Sequence, residues 1–196
     1  MQPTSHAFTA NAHDALGNPT LQRALGNMRS GFPAKRLSAI RHLPEFDALR
    51  DQGKAIKDHV LAHLDYYLEA YERKVQERGG VVHWARTPQE ACEIILSLCR
   101  SVDARTVTKG KSMIAEEIAL NDHLEEHGIT PVETDLGEYI IQLRHEPPSH
   151  IIAPAIHLMK EQVEETFRAA HTALSADRVL AEAPQLCAEA RTRLRE

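Results

Sequence analysis

Cysteine is scarce in this chain of 196 residues: Cys92, Cys99 and Cys187 are the whole supply. None stands in the C-x-x-C spacing that gathers thiolates around zinc or an iron–sulfur cluster, so the three read as free thiols and no metal site is expected. Positive charge is in the minority as well. Lys and Arg number 23 against 28 Asp and Glu, a formal net charge of -5, and such a surface offers no attractive field to nucleic acid. Its twelve histidines add to the positive side only below neutral pH. Long apolar runs are missing too: nothing approaches the roughly 18 residues that cross a bilayer. The opening MQPTSHAFTANAHD lacks the charged-then-apolar order of a secretory leader, and the expected location is the cytoplasm. No segment repeats and none is of low complexity.

What is present suffices for one sizeable core, since 42% of the residues are hydrophobic. Gly17, Pro19, Gly26, Gly31 and Pro33 interrupt the first forty or so positions, which read as short helical pieces such as 20–28. From Phe46 onward Leu49, Ile56, Val60, Leu64, Tyr67, Leu68, Tyr71 and Val75 recur at steps of three and four, the mark of an amphipathic helix. Carried to Arg78, before Gly79-Gly80, it would measure about 50 Å. A helix that long outruns a small domain, so residues 1–78 are expected to form a helical arm that lies across a sheet or packs on a second copy of the chain.

Residues 79–196 read as an α/β domain. VVHWA (81–85) has a strand's composition, and Thr87-Pro88-Gln89-Glu90 is a capping box with proline at the first helical position. The helix behind it is expected to bury Ala91, Ile94, Ile95 and Leu98. RTVTK (105–109) and ITPVET (129–134) read as strands on either side of a helix over 112–127 that Gly128 stops; Pro131 puts the later strand near an edge. Residues 136–143 fit either a strand or a helical turn. SHIIA (149–153) reads as a buried strand, followed by helices over 158–171, with Val163 and Phe167 inward, and over 184–195, with Leu186, Ala190 and Leu194 on one face. Strands alternating with helices predict a mainly parallel sheet with helices on both faces.

Gly110-Lys111-Ser112 is spelled like the end of a phosphate-binding loop, but Arg105 stands where the loop's first glycine belongs. What survives is Ser112 as a helix cap with Lys109 and Lys111 at the positive end of the helix dipole, a place where an anion could bind. In the helix itself Met113, Leu120 and Leu124 make an apolar stripe; Glu117 falls inside it, Asn121 lies one turn on and Glu116 borders it. A carboxylate within an apolar face must find a partner or shift its pKa. Glu133, Asp135 and Glu138 follow in ETDLGEYI, where Gly137 suggests a tight backbone position, and His157 follows SHIIA. Ligands of open α/β sheets bind beyond the carboxyl ends of the strands. The expected ligand-binding set is therefore Lys109, Lys111, Ser112, Asp135, Glu138 and His157, with Glu117, Glu138 and His157 as catalytic candidates. Taken singly, each reads more readily as a loop residue or a satisfied hydrogen bond than as a catalyst.

These motifs also carry a resemblance. IKDHVLAHLDYYLEAYE with GGVVHWA, KGKSMIAEEIALNDHLEEHGI, ETDLGEYIIQL and PPSHIIAPAIH together look like the N-terminal portion of the LUD-domain iron–sulfur proteins of lactate utilisation, over residues 41–167. The resemblance implies a fold similar to the sugar-phosphate isomerase and CoA-transferase group. It also implies membership of a bacterial complex that oxidises L-lactate to pyruvate and passes electrons through iron–sulfur clusters, with the other subunits of that complex as partners. In that family the domain runs on into a glycine-rich segment and a cysteine-rich, ferredoxin-like region. This chain, with its dispersed cysteines, is therefore expected to hold no cofactor of its own, to be inactive alone and to be incomplete at its C-terminus. The family pattern carries onto Lys111, Ser112, Met113, Glu116, Glu117, Glu133, Asp135, Gly137, Glu138, Tyr139 and His157. Two other readings stay open: a small-molecule acyl- or phosphate-handling enzyme with Glu117 or Glu138 as nucleophile or base, and a structural module in which the long helix joins two copies.

Overall fold

The computed structural model describes residues 5–175 and 177–195, except for the side chain of residue 30. They divide into two compact units, Ser30–Arg86 on the one hand and Met1–Arg29 with Thr87–Glu196 on the other. A single 3-10 turn, Ser5–Ala7, leads into α1 (Phe8–Gly17) and α2 (Pro19–Arg41). Asn18 separates the two helices, its Oδ1 accepting the N–H groups of Thr20 and Leu21, first-turn donors without a helical acceptor. α2 continues through Gly26, Gly31 and Pro33, so the short pieces expected from those residues are one helix.

The apolar run from Phe46 forms two helices in place of one rod: α3 (Phe46–Ala62) and α4 (Leu64–Glu77) meet at His63, which leaves helical geometry at φ -129° and ψ 39°. Neither contains a buried residue, and Leu49, Ile56, Leu64 and Tyr71 are exposed. Gly79, at φ 80°, ends α4, and a Cβ on Gly80 would lie 2.6 Å from Cγ1 of Val75. The strand expected at 81–85 does not form. The segment has no neighbouring strand, and the Trp84 indole instead donates to Glu72 of α4 at 3.1 Å.

In the larger unit α5 (Pro88–Ser101) begins as expected, with Thr87 Oγ1 accepting the N–H of Glu90 at 3.1 Å. Its inward stripe is Cys92, Leu96 and Cys99, whereas Leu98, expected inside, is 49% exposed. Ile95 borders both candidate stripes, so spacing alone does not separate them. β1 (Thr106–Lys109) pairs in parallel with β2 (Thr130–Glu133), Thr106 opposite Thr130 and Lys109 opposite Glu133. Between them the expected single helix breaks into α6 (Met113–Glu117) and α7 (Leu120–Glu126), because Ala119 adopts the left-handed conformation, φ 54° and ψ 42°. Gly128, φ 76°, stops α7 as its composition predicts. Cys92, Leu96, Cys99, Ala115, Leu120, Leu124 and Ile129 close a first core.

Asp135 caps the next segment by accepting the N–H of Glu138, which settles the ambiguous residues 136–143 as α8 (Leu136–Arg144). Gln142 on α8 turns its side-chain amide to β2, donating to the Pro131 carbonyl at 2.7 Å and accepting the Glu133 N–H at 3.1 Å. SHIIA is a closed loop, not a strand. His150 Nδ1 accepts the N–H groups of Ile152 and Ala153, Ser149 bonds the Pro154 carbonyl, and Ile151 and Ile152 are exposed. Among the described residues the sheet therefore has two strands, and the expected mainly parallel sheet reduces to a small one in a mostly helical chain.

α9 (Lys160–Ala170) and α10 (Ala183–Arg193) complete the unit; with α8 they enclose a second core of Tyr139, Ile140, Phe167, Leu180, Leu186 and Ala190. One buried chain of polar groups crosses it: the Tyr139 hydroxyl lies 2.9 Å from His171 Nε2, and His171 Nδ1 lies 3.1 Å from Glu189. Burial opposes ionisation of Glu189, yet the Arg193 guanidinium bonded to it at 2.9 Å holds its pKa below the ordinary value of 4.5. A depressed carboxyl stabilises the fold above its unfolded pKa and loses that contribution as pH falls through the folded value. Glu189→Gln is accordingly expected to remove about 1–3 kcal/mol at pH 7. Urea midpoints of mutant and wild type should converge below the ordinary carboxyl range, and a gap that persisted there would count against ionisation as the cause.

Candidate functional site

The registry of β1 and β2 puts their last residues opposite one another, and these are a cation and an anion. Lys109 Nζ donates to Glu133 Oε1 and to Asn121 Oδ1, both at 2.6 Å, and Asn121 Nδ2 donates to the same Glu133 oxygen at 3.0 Å. Both side chains of the ion pair are withdrawn from solvent, Lys109 at 9% and Glu133 at 2% exposure. Glu116, from α6, approaches Lys109 to 3.9 Å. Glu138, from the first turn of α8, lies 3.8 Å from Lys111, whose ammonium also binds Asp135 at 3.0 Å and the Ile152 carbonyl.

Three elements, α6, β2 and α8, thus bring Glu116, Glu133 and Glu138 together at a cavity of about 360 Å³, which Asn121, Ile141, Gln142, Glu146 and Pro147 also line. The left-handed turn at Ala119 makes this possible, since it ends α6 early and lets α7 present Asn121 to the strand ends. Gly137 gives α8 its close approach to the 149–154 loop; a Cβ there would meet Pro154 Cδ at 3.0 Å.

The electrostatics follow from burial. Desolvation pushes the pKa of Glu116 and of Glu138 above the usual carboxylate range, and neighbouring carboxylates add to it; Lys109 pulls Glu116 back and Lys111 pulls Glu138 back, neither completely. Asp135 goes the other way. Burial would raise it, but the Lys111 ammonium and the N–H groups of Glu138 and Gly137 hold it low. Such an arrangement is equipped to hold a positive group or to exchange a proton with a bound molecule.

The expected site residues distribute unevenly. Lys109, Lys111, Asp135 and Glu138 come together, and Ser112 caps α6 by accepting the N–H of Ala115 at 3.2 Å. Both lysines face carboxylates. Glu117, expected inside, is exposed, and Glu116 takes the inward place, because the stripe that pointed to Glu117 presumed an unbroken helix through Ala119. His157 joins the group only through an intermediary: its ring nitrogens bond Ser149 at 2.8 Å and Glu146 at 3.0 Å, and Glu146 borders the cavity. Burial works against ionised Glu146, but Arg144 and His157 keep its pKa below the usual value. Asn121 was visible in the sequence only as a polar residue one turn beyond Glu117, and Gln142 carried no chemical signature that could have marked it in advance.

Comparison with known proteins gives one family match and three concordant relatives. Residues 68–196 match the family model described as LUD domain. Lactate utilization protein B of Exiguobacterium sp. is 44% identical over 162 residues, covering 83% of this chain and 35% of that protein. Its counterpart in Lysinibacillus sphaericus is 41% identical over 170 residues, 86% of this chain and 36% of that protein. An Escherichia coli (strain K12) relative, named Uncharacterized electron transport protein YkgF, is 40% identical over 160 residues, 82% of this chain and 34% of its own. The chain spans about a third of the length of these curated relatives. No solved structure matches it.

Proposed function

Since the chain belongs to the LUD domain family, we propose that it acts in bacterial lactate utilisation, as the LUD portion of an iron–sulfur subunit in a complex that oxidises L-lactate. The observation that carries this reading is the 44% identity, sustained over 83% of the chain, to a protein named for that process. The share assigned to this chain is ligand binding at the glutamate-lined cavity and assembly with partner subunits in the cytoplasm. None of its described helices is long and apolar enough to cross a membrane.

Electron transfer is not part of that share. Cys92 and Cys99 belong to the first core, Cys92 Sγ donating to the Ile118 carbonyl, and burial raises the Cys92 thiol pKa, which disfavours the thiolate a cluster requires. Cys187, on α10, stands apart from that core. These residues do not fit a four-thiolate iron–sulfur cluster.

A chimera tests the proposal. The matching third of the Exiguobacterium protein is replaced by this chain and introduced into a host lacking its own Lactate utilization protein B. Growth on L-lactate should return to within a few-fold of the rate given by the parent protein. If growth on glucose were normal and the chimera accumulated with its clusters assembled, yet L-lactate supported no growth, the proposal would fall.

A further inference from the structure

We infer that Glu116, Glu133 and Glu138 form a binding site for one hard divalent cation, of the Mg²⁺, Mn²⁺ and Ca²⁺ class, on the wall of the cavity. One carboxylate oxygen from each residue lies within 4.8 Å of the other two. Oxygens on opposite sides of a shared ion stand apart by about twice the metal–oxygen distance, roughly 4.0–4.2 Å for Mg²⁺ and 4.6–5.2 Å for Ca²⁺. The three donors are therefore already gathered to the span a single ion demands. They arrive from α6, β2 and α8, and it is the fold that carries Glu116 to the two glutamates of the 133–138 segment.

A second observation points to a ligand independently. Glu133 and Glu138 have side chains only 2% and 3% exposed, yet Oε2 of Glu133 and Oε1 of Glu138 accept no hydrogen bond. Both residues line the cavity. A buried carboxylate oxygen left without a donor is costly, and two of them facing one small space are more so. Lys109 does not relieve them, because its ammonium is directed to the other Glu133 oxygen and to Asn121. Lys111 stands 3.8 Å from Glu138 Oε1, an ion-pair distance too long for a hydrogen bond, and its ammonium is hydrogen-bonded to Asp135.

Charge and donor type narrow the ligand further. Glu116, Glu133, Asp135 and Glu138 carry four negative charges when ionised against two positive ones on Lys109 and Lys111, and Asp122, Glu125 and Glu146 also line the cavity, so negative charge is in excess there and favours a cation. The donors are all carboxylate oxygens, with no thiolate or imidazole among them, a set that suits hard cations and not zinc or copper. Lys109 and Asn121 hold Glu133 in orientation, as outer partners of metal ligands do, and the cavity has room for the waters that would complete the coordination.

The site is tested on the full chain with Mn²⁺ as the probe, its binding followed by the electron paramagnetic resonance of the free ion at 0.15 M KCl. One ion should bind per chain, and Glu133→Gln and Glu138→Gln should each weaken it at least tenfold, while Glu126→Gln, an exposed change outside the cavity, leaves it unaltered. Because a substitution at a buried glutamate could disturb folding, a second measurement uses the unsubstituted chain: substoichiometric Mn²⁺ should broaden the NMR signals of the Asn121 and Gln142 side-chain amides before any others. Absence of binding at about 1 mM Mn²⁺, affinity indifferent to both glutamine variants, or broadening that begins elsewhere would overturn the assignment. The outcome is independent of the lactate reading, since growth of the chimera and Mn²⁺ occupancy are separate readouts.

Discussion

Lys109→Met should lower the stability of the larger unit by about 3–5 kcal/mol, because the substitution removes the ammonium and leaves its carboxylates buried. The methionine fills nearly the same volume, so the loss is electrostatic and not a cavity effect. Glu133 Oε1 would keep only the Asn121 amide, and Glu116 would lose the positive charge that restrains its pKa. A companion variant separates this account from simple disruption of β1. In Lys109→Met/Glu133→Gln the uncompensated charge is gone as well, and more than half of the lost stability should return, a coupling that only groups in contact produce. Amide hydrogen exchange at Leu124 and Ile129 is the appropriate measure, since Trp84, the single tryptophan, belongs to the other unit and would not report on this one. A double variant no more stable than the single one would refute the charge-pair explanation.

Phe167→Ala should be comparably severe, at about 3–5 kcal/mol, through loss of apolar burial and the cavity left behind. The ring is wholly buried, and its centroid lies 4.8 Å from that of His171 and 6.2 Å from that of Tyr139. Its removal would empty the space beside the Tyr139–His171–Glu189 chain, so both the apolar and the polar components of the second core would be affected. Phe167→Leu, which keeps most of the volume, should lose about 1.5 kcal/mol or less. Urea unfolding monitored by far-ultraviolet circular dichroism distinguishes the two. Equal losses from alanine and leucine would mean that the aromatic ring itself, not the filling of space, governs the site.

How far the sequence reveals these features depends on whether the determining interaction is local. Thr87 and Ser112 cap helices through donors three residues away, and Gly128 ends a helix through its own backbone conformation, devices that composition alone exposes; the cap at Asp135 is of the same kind, yet residues 136–143 read equally as a strand. β1 and β2 were readable too, from β-branched residues between turn signals. The strands at 81–85 and 149–153 were misjudged because a strand exists only by virtue of a neighbour, and local sequence does not disclose whether one is available. In the second case a histidine side chain took the N–H groups that a ladder would have used.

The site was partly readable for the same reason. Convergence of Lys109, Lys111, Asp135 and Glu138 follows from strand ends, whereas the pairing of Lys109 with Glu133 depends on the registry of β1 on β2, which only the structure supplies. What periodicity misplaced was the inward carboxylate: a helix assumed continuous turned Glu117 to the core, and the left-handed Ala119 invalidates that extrapolation. Nothing in alanine's own preferences foretells a positive φ, which is unfavourable for it and must be imposed by the packing on either side.

Gln142 has a consequence beyond the site it helps to build. A strand at the margin of a small sheet presents unpaired N–H and C=O groups to any extended chain that comes by, and such margins nucleate aggregation. On β2 the Glu133 N–H and the Pro131 carbonyl are both already taken by this one amide side chain, and Pro131 contributes no N–H at all. A foreign strand would have to displace Gln142 and would still find a gap in the ladder. A residue that lines the cavity therefore also protects the chain from growing its sheet at another molecule's expense.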